Sequence, residues 1–247
     1  HLKYKTQYIQ ITDSDLKKLQ ERVAQKQSGE TEIITQTELV KASLTGQSEN
    51  VGVTLTAQMR EQIEAWRSET EVELPTGLNA VMRPYQLRGF SWMYKNLDVG
   101  FGCILADDMG LGKTLQVIAL LLKLHPEGKL KDAKALIVVP AGLLCNWQME
   151  IKKFAPELTY HAYHGGSRDL QKFSDDILIT TYATFRKDVD KLKELQWQAV
   201  IIDEAQNIKN ADSDQSKRIR SMKAPIKIAM SGTPVENRLM EFWTIMD

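Results

Sequence analysis

Two short segments of this 247-residue sequence carry residue types suited to phosphate chemistry. The first reads Asp-Asp-Met-Gly-Leu-Gly-Lys-Thr over residues 107–114, between an apolar run and a helical pattern. Glycines let the backbone N–H groups turn inward, where an anion meets free donors and the positive end of the helix dipole. Lys113 would reach the β- and γ-phosphates of a nucleotide, and the Thr114 hydroxyl would ligate Mg²⁺. The residues predicted to hold the nucleotide phosphates are Asp108, Met109, Gly110, Leu111, Gly112, Lys113 and Thr114.

The second segment is an apolar run at 199–202 that ends in two carboxylates, Asp203 and Glu204. Asp203 would hold the metal, and Glu204 would polarise the attacking water, so Glu204 and Lys113 are the predicted catalytic residues. Alone, either segment is also compatible with a plain turn or a strand-end cap. Their order, each after a buried-strand pattern, favours a nucleotide triphosphatase site.

One position departs from the general phosphate-loop pattern G-x-x-x-x-G-K-[ST], because Asp107 stands where the first glycine is expected. Asp tolerates a left-handed backbone less well than Gly. The sequence therefore predicts a tighter loop than usual.

Composition limits the class of protein without identifying a partner. Lys and Arg number 32 and so do Asp and Glu, so no net basic field indicates nucleic acid. The two cysteines, Cys103 and Cys145, lie in apolar surroundings and are predicted to be reduced core residues. No signal peptide and no apolar stretch of ~18–20 residues is present, so no membrane partner is expected. We expect a cytoplasmic, nucleoid-associated protein, or a nuclear one if the source is eukaryotic.

The order of apolar runs predicts two regions. Residues 1–78 form a smaller, mainly helical accessory region and linker, with a strand over 3–12 and helices capped at Asp13 or Ser14 and at Thr56. Residues 79–247 alternate between strand and helix patterns, which predicts an α/β fold with a mostly parallel sheet and helices on both faces. Strands are expected at 101–105, 135–139, 159–163, 177–181, 198–202 and 226–230. Helices are expected at 85–97, 112–124, 142–154 and 213–222.

Several further motifs follow one another along the chain: Met82 to Met93, Leu136 to Pro140, Asn146-Trp147, Ile179 to Tyr182 and Ser231 to Arg238. Together with the two phosphate segments, they resemble the first motor lobe of Swi2/Snf2-type ATPases, within helicase superfamily 2. The resemblance covers roughly residues 79–247 and implies a RecA-like lobe. The ending Asp-Glu-Ala-Gln206 resembles bacterial members.

The resemblance also implies roles for individual residues. Gln86 would bind the adenine base, although a surface glutamine on a helix has the same sequence signature. Ser231 and Thr233 would couple hydrolysis to DNA contacts. Contacts to the backbone of double-stranded DNA are implied for Pro140, Asn146, Trp147, Thr181 and Tyr182. For the strand-end residues Pro140, Thr181 and Tyr182, capping of the strand end is the alternative.

The implied parent is a DNA-stimulated ATPase that uses ATP and Mg²⁺, translocates on duplex DNA and remodels protein–DNA complexes. A second RecA-like lobe of the same parent would supply an arginine worth about 10³–10⁵ in rate. We expect that lobe to be absent here, so the chain alone would be nearly inactive. The alternatives are a nucleotide- and DNA-binding module without turnover, a lobe of an unwinding helicase, and a scaffold whose residues 1–78 bind a protein partner.

Overall fold

The structure is a computed structural model in which most of the second region is described and little of the first. The described residues are 2–4, 7–9, 64, 68, 70–98, 102–125, 130, 134–166, 168–171, 173–208, 214–232. The side chains of 2–4, 7–9, 98 and 214–215 are outside the description.

Six parallel strands form the central sheet, in the order β3-β8-β7-β4-β6-β5. They are β3 (Cys103–Leu105), β4 (Lys134–Val139), β5 (Tyr160–Tyr163), β6 (Ile177–Thr181), β7 (Trp197–Ile202) and β8 (Ile226–Met230). The helices are α1 (Pro84–Asp98), α2 (Lys113–Leu124), α3 (Leu144–Phe154), α4 (Tyr182–Leu192) and α5 (Asp214–Arg220). Short 3₁₀ turns lie at Ala141–Leu143 and Ala205–Asn207.

The strands are apolar on both faces because helices cover both faces. In β4, Ala135 and Ile137 pack with α1, α2 and α3, whereas Leu136 and Val138 pack with α4 and α5. Successive strand residues point to opposite faces, so a strand buried on both sides has a continuous apolar sequence. The predicted fold class, a parallel sheet with helices on both faces, is confirmed.

Two features of the chain differ from the sequence prediction. The predicted single strand over 3–12 is wrong, because β1 (Leu2–Tyr4) and β2 (Gln7–Ile9) are separate strands that pair antiparallel. Helix α4 was not predicted at all. The helices predicted after Asp13 and Thr56 lie almost entirely outside the described residues.

The loops that follow the parallel strands meet at one end of the sheet, here called the carboxyl edge: residues 106–112, 140, 203–204 and 231–232. Backbone hydrogen bonds set its register. Asp203 N–H donates to Val138 O at 2.9 Å, and Ser231 N–H donates to Leu105 O at 3.0 Å. The opposite end, with residues 159, 176, 196 and 225, is the amino edge. No helix in the described part of the chain is long and apolar enough to cross a membrane.

Candidate nucleotide site

The loop after β3 turns sharply at two glycines before α2 begins. Gly110 has φ 83° and Gly112 has φ 75°, backbone conformations that favour glycine. Gly112 is the N-cap of α2, and no side chain caps the helix start. The first N–H groups of α2 therefore remain available to an anion. Asp107 does not take a left-handed backbone, so the position that departs from the pattern carries no such strain.

Lys113, the first residue of α2, folds back across this loop. Its Nζ donates to Asp107 O at 2.7 Å and to Asp108 O at 2.9 Å. The ammonium group thus lies over the concave side of the loop, where it can meet a phosphate. The exposed Met109 and the half-buried Leu111 and Thr114 complete this segment.

Gln86 ties α1 to the same loop. Its Oε1 accepts from Arg83 N–H at 2.9 Å, and its Nε2 donates to Leu111 O at 3.0 Å. These partners determine the orientation of the amide, because a backbone N–H can only donate and a carbonyl can only accept. The side chain is 7% exposed, and a β-carbon at Gly112 would collide with it. Gln86 therefore fixes the loop, while each amide atom keeps one further hydrogen-bonding position.

The carboxylate of Asp203 is held at both oxygens. Trp147 Nε1 donates to Oδ2 at 2.8 Å, and Glu204 N–H donates to Oδ1 at 2.8 Å. The residue is only 6% exposed. Burial raises the pKa of this carboxyl above its ordinary value of 3.8, against the opposing effects of the two N–H donors and of the Lys113 charge.

Glu204 has an unusual backbone for its type. Its φ of 50° and ψ of 50° make it the one non-glycine residue with positive φ in the described part of the chain. Such a conformation costs of order 1–3 kcal/mol and is often found at functional sites. The Tyr182 hydroxyl, which donates to Asp203 O at 2.7 Å, holds the peptide that leads into it.

A polar chain connects Glu204 to the end of β8. Gln206 Nε2 donates to Glu204 Oε2, and Ser231 Oγ donates to Gln206 Oε1 at 2.9 Å. Ser231 was predicted to couple hydrolysis to DNA contacts, whereas no role was predicted for Gln206. The signal that could have found it was its type, because one amide can both donate and accept between two polar groups.

The walls of the site meet at Gly232. A β-carbon there would lie 3.5 Å from Glu204 Oε2 and 2.7 Å from Met109 Cγ. The phosphate loop and the second carboxylate therefore face each other across a backbone that has no room for a side chain. Thr233, the other predicted coupling residue, lies outside the described residues.

Two of the predicted DNA contacts are wrong as side-chain contacts. Trp147 is 0% exposed and donates a hydrogen bond to Asp203, and Thr181 is 1% exposed. The Thr181 Oγ1 instead caps α4 by accepting from Thr184 N–H at 3.3 Å. The half-buried Pro140 and Asn146 remain near the carboxyl edge, with Asn146 Nδ2 donating to Glu150 Oε1 at 3.1 Å.

One of the two cysteines differs from prediction. Cys103 is buried, and burial raises its pKa to about 12, so the thiol stays protonated. Cys145 is exposed, because it lies on the outward side of α3. It is therefore not the core residue that its apolar neighbours suggested.

The oxygen atoms of Asp203 and Thr114 suit a hard cation that would also be coordinated by a bound nucleotide. Asp203 offers a carboxylate with unused lone pairs, and Thr114 offers a hydroxyl. Mg²⁺ is commonly held by one or two such oxygens together with substrate phosphates and water. Within the described ranges no group of three or more His, Cys, Asp or Glu side chains could hold a metal by itself.

Comparison with known proteins identifies relatives of this chain. A protein-family model described as "SNF2-related domain" matches residues 85–247. A Bacillus subtilis protein named as an ATP-dependent helicase/translocase is 41% identical over 183 residues, which is 72% of this chain and 20% of that protein. A chromatin-remodeling ATPase of Gibberella zeae is 35% identical over 193 residues, 72% of this chain and 10% of that protein.

A solved structure shares both fold and sequence. It is the SWI2/SNF2 ATPase core of Sulfolobus solfataricus in complex with double-stranded DNA, with a TM-score of 0.66 and 42% identity. The match covers 72% of this chain and 37% of that chain. The chain spans a tenth to a fifth of the length of these two curated relatives. With a family match over more than half its length and a parallel sheet that carries the phosphate loop, the chain belongs to the SNF2-related family of ATPases.

Proposed function

We propose that this chain binds ATP with Mg²⁺ at the carboxyl edge and forms one half of a DNA-stimulated ATP hydrolase. The observation that carries the proposal is that the side chains of Met109 and Glu204 both lie close to Gly232. It brings the phosphate loop and the carboxylate that would activate water to the same place. Nucleotides bind at this edge of parallel sheets in general.

The residues divide the chemistry among them. The N–H groups at the start of α2 and the Lys113 ammonium would hold the β- and γ-phosphates, and Gln86 would use its free amide positions for the adenine edge. Asp203 and Thr114 would hold the metal, which neutralises phosphate charge when bound. Glu204 would orient and polarise a water that attacks the γ-phosphorus, so that one P–O bond forms as the bond to the leaving diphosphate breaks.

The chain as given would turn over slowly. The match covers 37% of the Sulfolobus core chain. A second RecA-like lobe in the parent protein would supply the arginine that stabilises the charge of the transferring phosphoryl group. Coupling to it would pass through Glu204, Gln206 and Ser231, with Thr233 beyond them.

Duplex DNA is the proposed activating partner. The solved relative carries double-stranded DNA, and the half-buried Pro140 and Asn146 lie near the carboxyl edge, where they would contact the phosphates of a DNA strand. Translocation along the duplex and remodelling of bound proteins follow from the family resemblance. A protein partner for residues 1–78 is a further proposal that rests on the sequence alone.

Nucleotide binding tests the site directly. Lys113→Ala should abolish detectable binding of a fluorescent ATP analogue, because it removes the charge that faces the phosphates. Gln86→Ala should reduce the preference for ATP over GTP. The matched control is Lys134→Ala, since Lys134 Nζ also donates to a backbone carbonyl, Ser174 O at 3.1 Å, but at the amino edge. Equal affinities in the Lys113 and Lys134 variants would contradict the assignment.

DNA binding needs its own experiment. We expect weak binding without sequence preference and a shallow dependence on salt, with a log–log slope on the order of −2 to −4 for a handful of phosphate contacts. Reversing the exposed Lys152 and Lys153 of α3 to Glu should weaken it further. Reversing Lys187 and Lys191 of α4, on the opposite face of the sheet, is the control. Sequence-specific binding, or a slope of zero in fluorescence anisotropy, would refute backbone contact.

A further inference from the structure

We propose that Trp147 and Tyr182 are positioning residues for the metal-binding carboxylate, holding Asp203 from opposite faces of the sheet. Both were expected to contact DNA, and the structure turns their donors inward instead. The proposal rests on the proposed function, because it concerns how the ATP site acquires its dependence on Mg²⁺.

The contact from α3 fixes one oxygen of the carboxylate. The indole N–H of Trp147 can only donate, and at 0% exposure it has no access to solvent. It donates to Asp203 Oδ2 at 2.8 Å, while Glu204 N–H donates to Oδ1. Rotation of the carboxylate would break both bonds. Because an ionised carboxylate can accept about four hydrogen bonds, half of its capacity remains for the metal shell.

The contact from α4 fixes the backbone of the same residue. The Tyr182 hydroxyl donates to Asp203 O at 2.7 Å. Trp147 belongs to the core beneath α1, α2 and α3, whereas Tyr182 packs against the other core. The end of β7 is therefore held from both sides, immediately before the left-handed backbone of Glu204.

A second buried tryptophan shows what a purely structural indole does. Trp197 is 4% exposed, and its Nε1 donates to Leu192 O at 2.6 Å, joining β7 to the end of α4. Tyr163 likewise places its hydroxyl 3.2 Å from Asp188 Oδ2, away from the site. These two residues are matched controls, because each loses a comparable hydrogen bond when replaced by Phe.

The test measures the affinity of the 247-residue chain for a fluorescent ATP analogue with Mg²⁺ and again with a chelator. The ratio of the two affinities isolates the metal. Trp147→Phe should reduce this ratio about 10–100-fold, the usual effect of losing an outer-shell partner of a metal ligand. The Mg²⁺-free affinity should stay within about twofold, since no phosphate contact is lost. Tyr182→Phe should reduce the ratio by a smaller factor, and Trp197→Phe and Tyr163→Phe should leave it unchanged.

Each outcome decides between positioning and packing. A ratio unchanged in Trp147→Phe, or reduced equally in Trp197→Phe, would overturn the proposal, as would a loss of DNA affinity with an intact ratio. If Trp147→Phe does not fold, Tyr182→Phe decides in the same way. In an Asp203→Asn background Trp147→Phe should have no further effect on the ratio, because its partner is gone. Failure of the unaltered chain to bind the analogue would instead refute the proposed function itself.

Discussion

Two buried aspartates at opposite ends of one sheet show how differently the fold uses the same side chain. At the amino edge, Asp176 Oδ2 accepts from both the N–H and the hydroxyl of Thr159, at 2.9 and 2.7 Å, and Asp176 N–H donates back to Thr159 Oγ1. At the carboxyl edge, Asp203 has one donor per oxygen and a strained neighbour, Glu204. Each carboxylate accepts two hydrogen bonds. Both of those to Asp176 come from Thr159, so they brace the starts of β5 and β6, and the other oxygen lies 3.6 Å from His125 Nε2. The two bonds to Asp203 are divided between its oxygens, so each oxygen keeps a lone pair for a ligand.

The same contrast extends to the edges as wholes. At the amino edge, backbone hydrogen bonds join neighbouring strands, such as the bond from Ala135 N–H to Asp176 O at 2.9 Å. The carboxyl edge instead collects glycine turns, an uncapped helix start and a polar chain through Gln206. A site that must bind and release a ligand is drawn from the less satisfied part of the structure, and it costs stability there.

The largest expected effect tests whether the carboxyl edge is half of a catalytic site. Adding the remaining length of an SNF2-type ATPase core to this chain should raise DNA-stimulated turnover about 10³–10⁵-fold, the value of an arginine finger. The measurement is phosphate release at saturating ATP and duplex DNA. Robust turnover by the 247 residues alone would show that this edge is already complete.

Replacing Glu204 should have the next largest effect. Glu204→Gln removes the base but keeps the side-chain size, so turnover of the extended protein should fall about 10²–10⁴-fold with ATP affinity retained. The control is Glu194→Gln, an exposed carboxylate close to the amino edge, which should leave phosphate release unchanged. A parallel loss of ATP affinity would assign Glu204 to binding instead.

At the amino edge the expected effect is on stability alone. Asp176→Ala removes the acceptor of the Thr159 N–H in a partly buried hydrogen bond, which should lower the free energy of unfolding by about 0.5–1.5 kcal/mol. Urea denaturation measures this change. Binding of the ATP analogue should be unaffected, and a change in its affinity would mean that the two edges are coupled.

The smallest effect concerns the pH dependence of stability. Because burial raises the pKa of Asp203 in the folded state, the folded chain holds this proton more tightly than the unfolded chain does. Its stabilising contribution is complete below the ordinary value of 3.8 and is lost as pH rises through the higher folded value. As pH rises from below 3.8 to neutral, Asp203→Asn should therefore lose less stability than the unaltered chain. An equal change in the urea denaturation midpoint of the two chains over this range would contradict this sign.

The sheet was predictable from the sequence, strand by strand, because a strand buried on both faces is a continuous apolar run. Helix α4 was not. Its N-cap, Thr181, is also the last residue of β6, so no loop separates the two elements. Asp188 also breaks the helical backbone, with φ −113° and ψ 16°. Both features weaken the periodic pattern that predicts a helix.

The site was predictable where its function depends on local sequence. The Lys113 loop and the Asp203–Glu204 pair follow their strands directly, so their type and spacing are enough. The partners of Asp203 were not predictable, since Trp147 lies 56 positions away and its family role suggested DNA. Gln206 was overlooked because its two partners, Glu204 and Ser231, meet only after β7 and β8 pair.

The position of β3 at the end of the sheet has a consequence for the order of folding. Among the described strands its one neighbour is β8, and the paired residues Cys103 and Ile228 are about 125 positions apart in the chain. A chain emerging from the ribosome can pair β4, β6 and β7 well before β8 exists, whereas the strand that carries the phosphate loop must wait. Such distant pairing is slow, so nucleotide-binding competence should arise in the last step of folding. ATP present during refolding then acts on that step, since it binds only once β3 has docked.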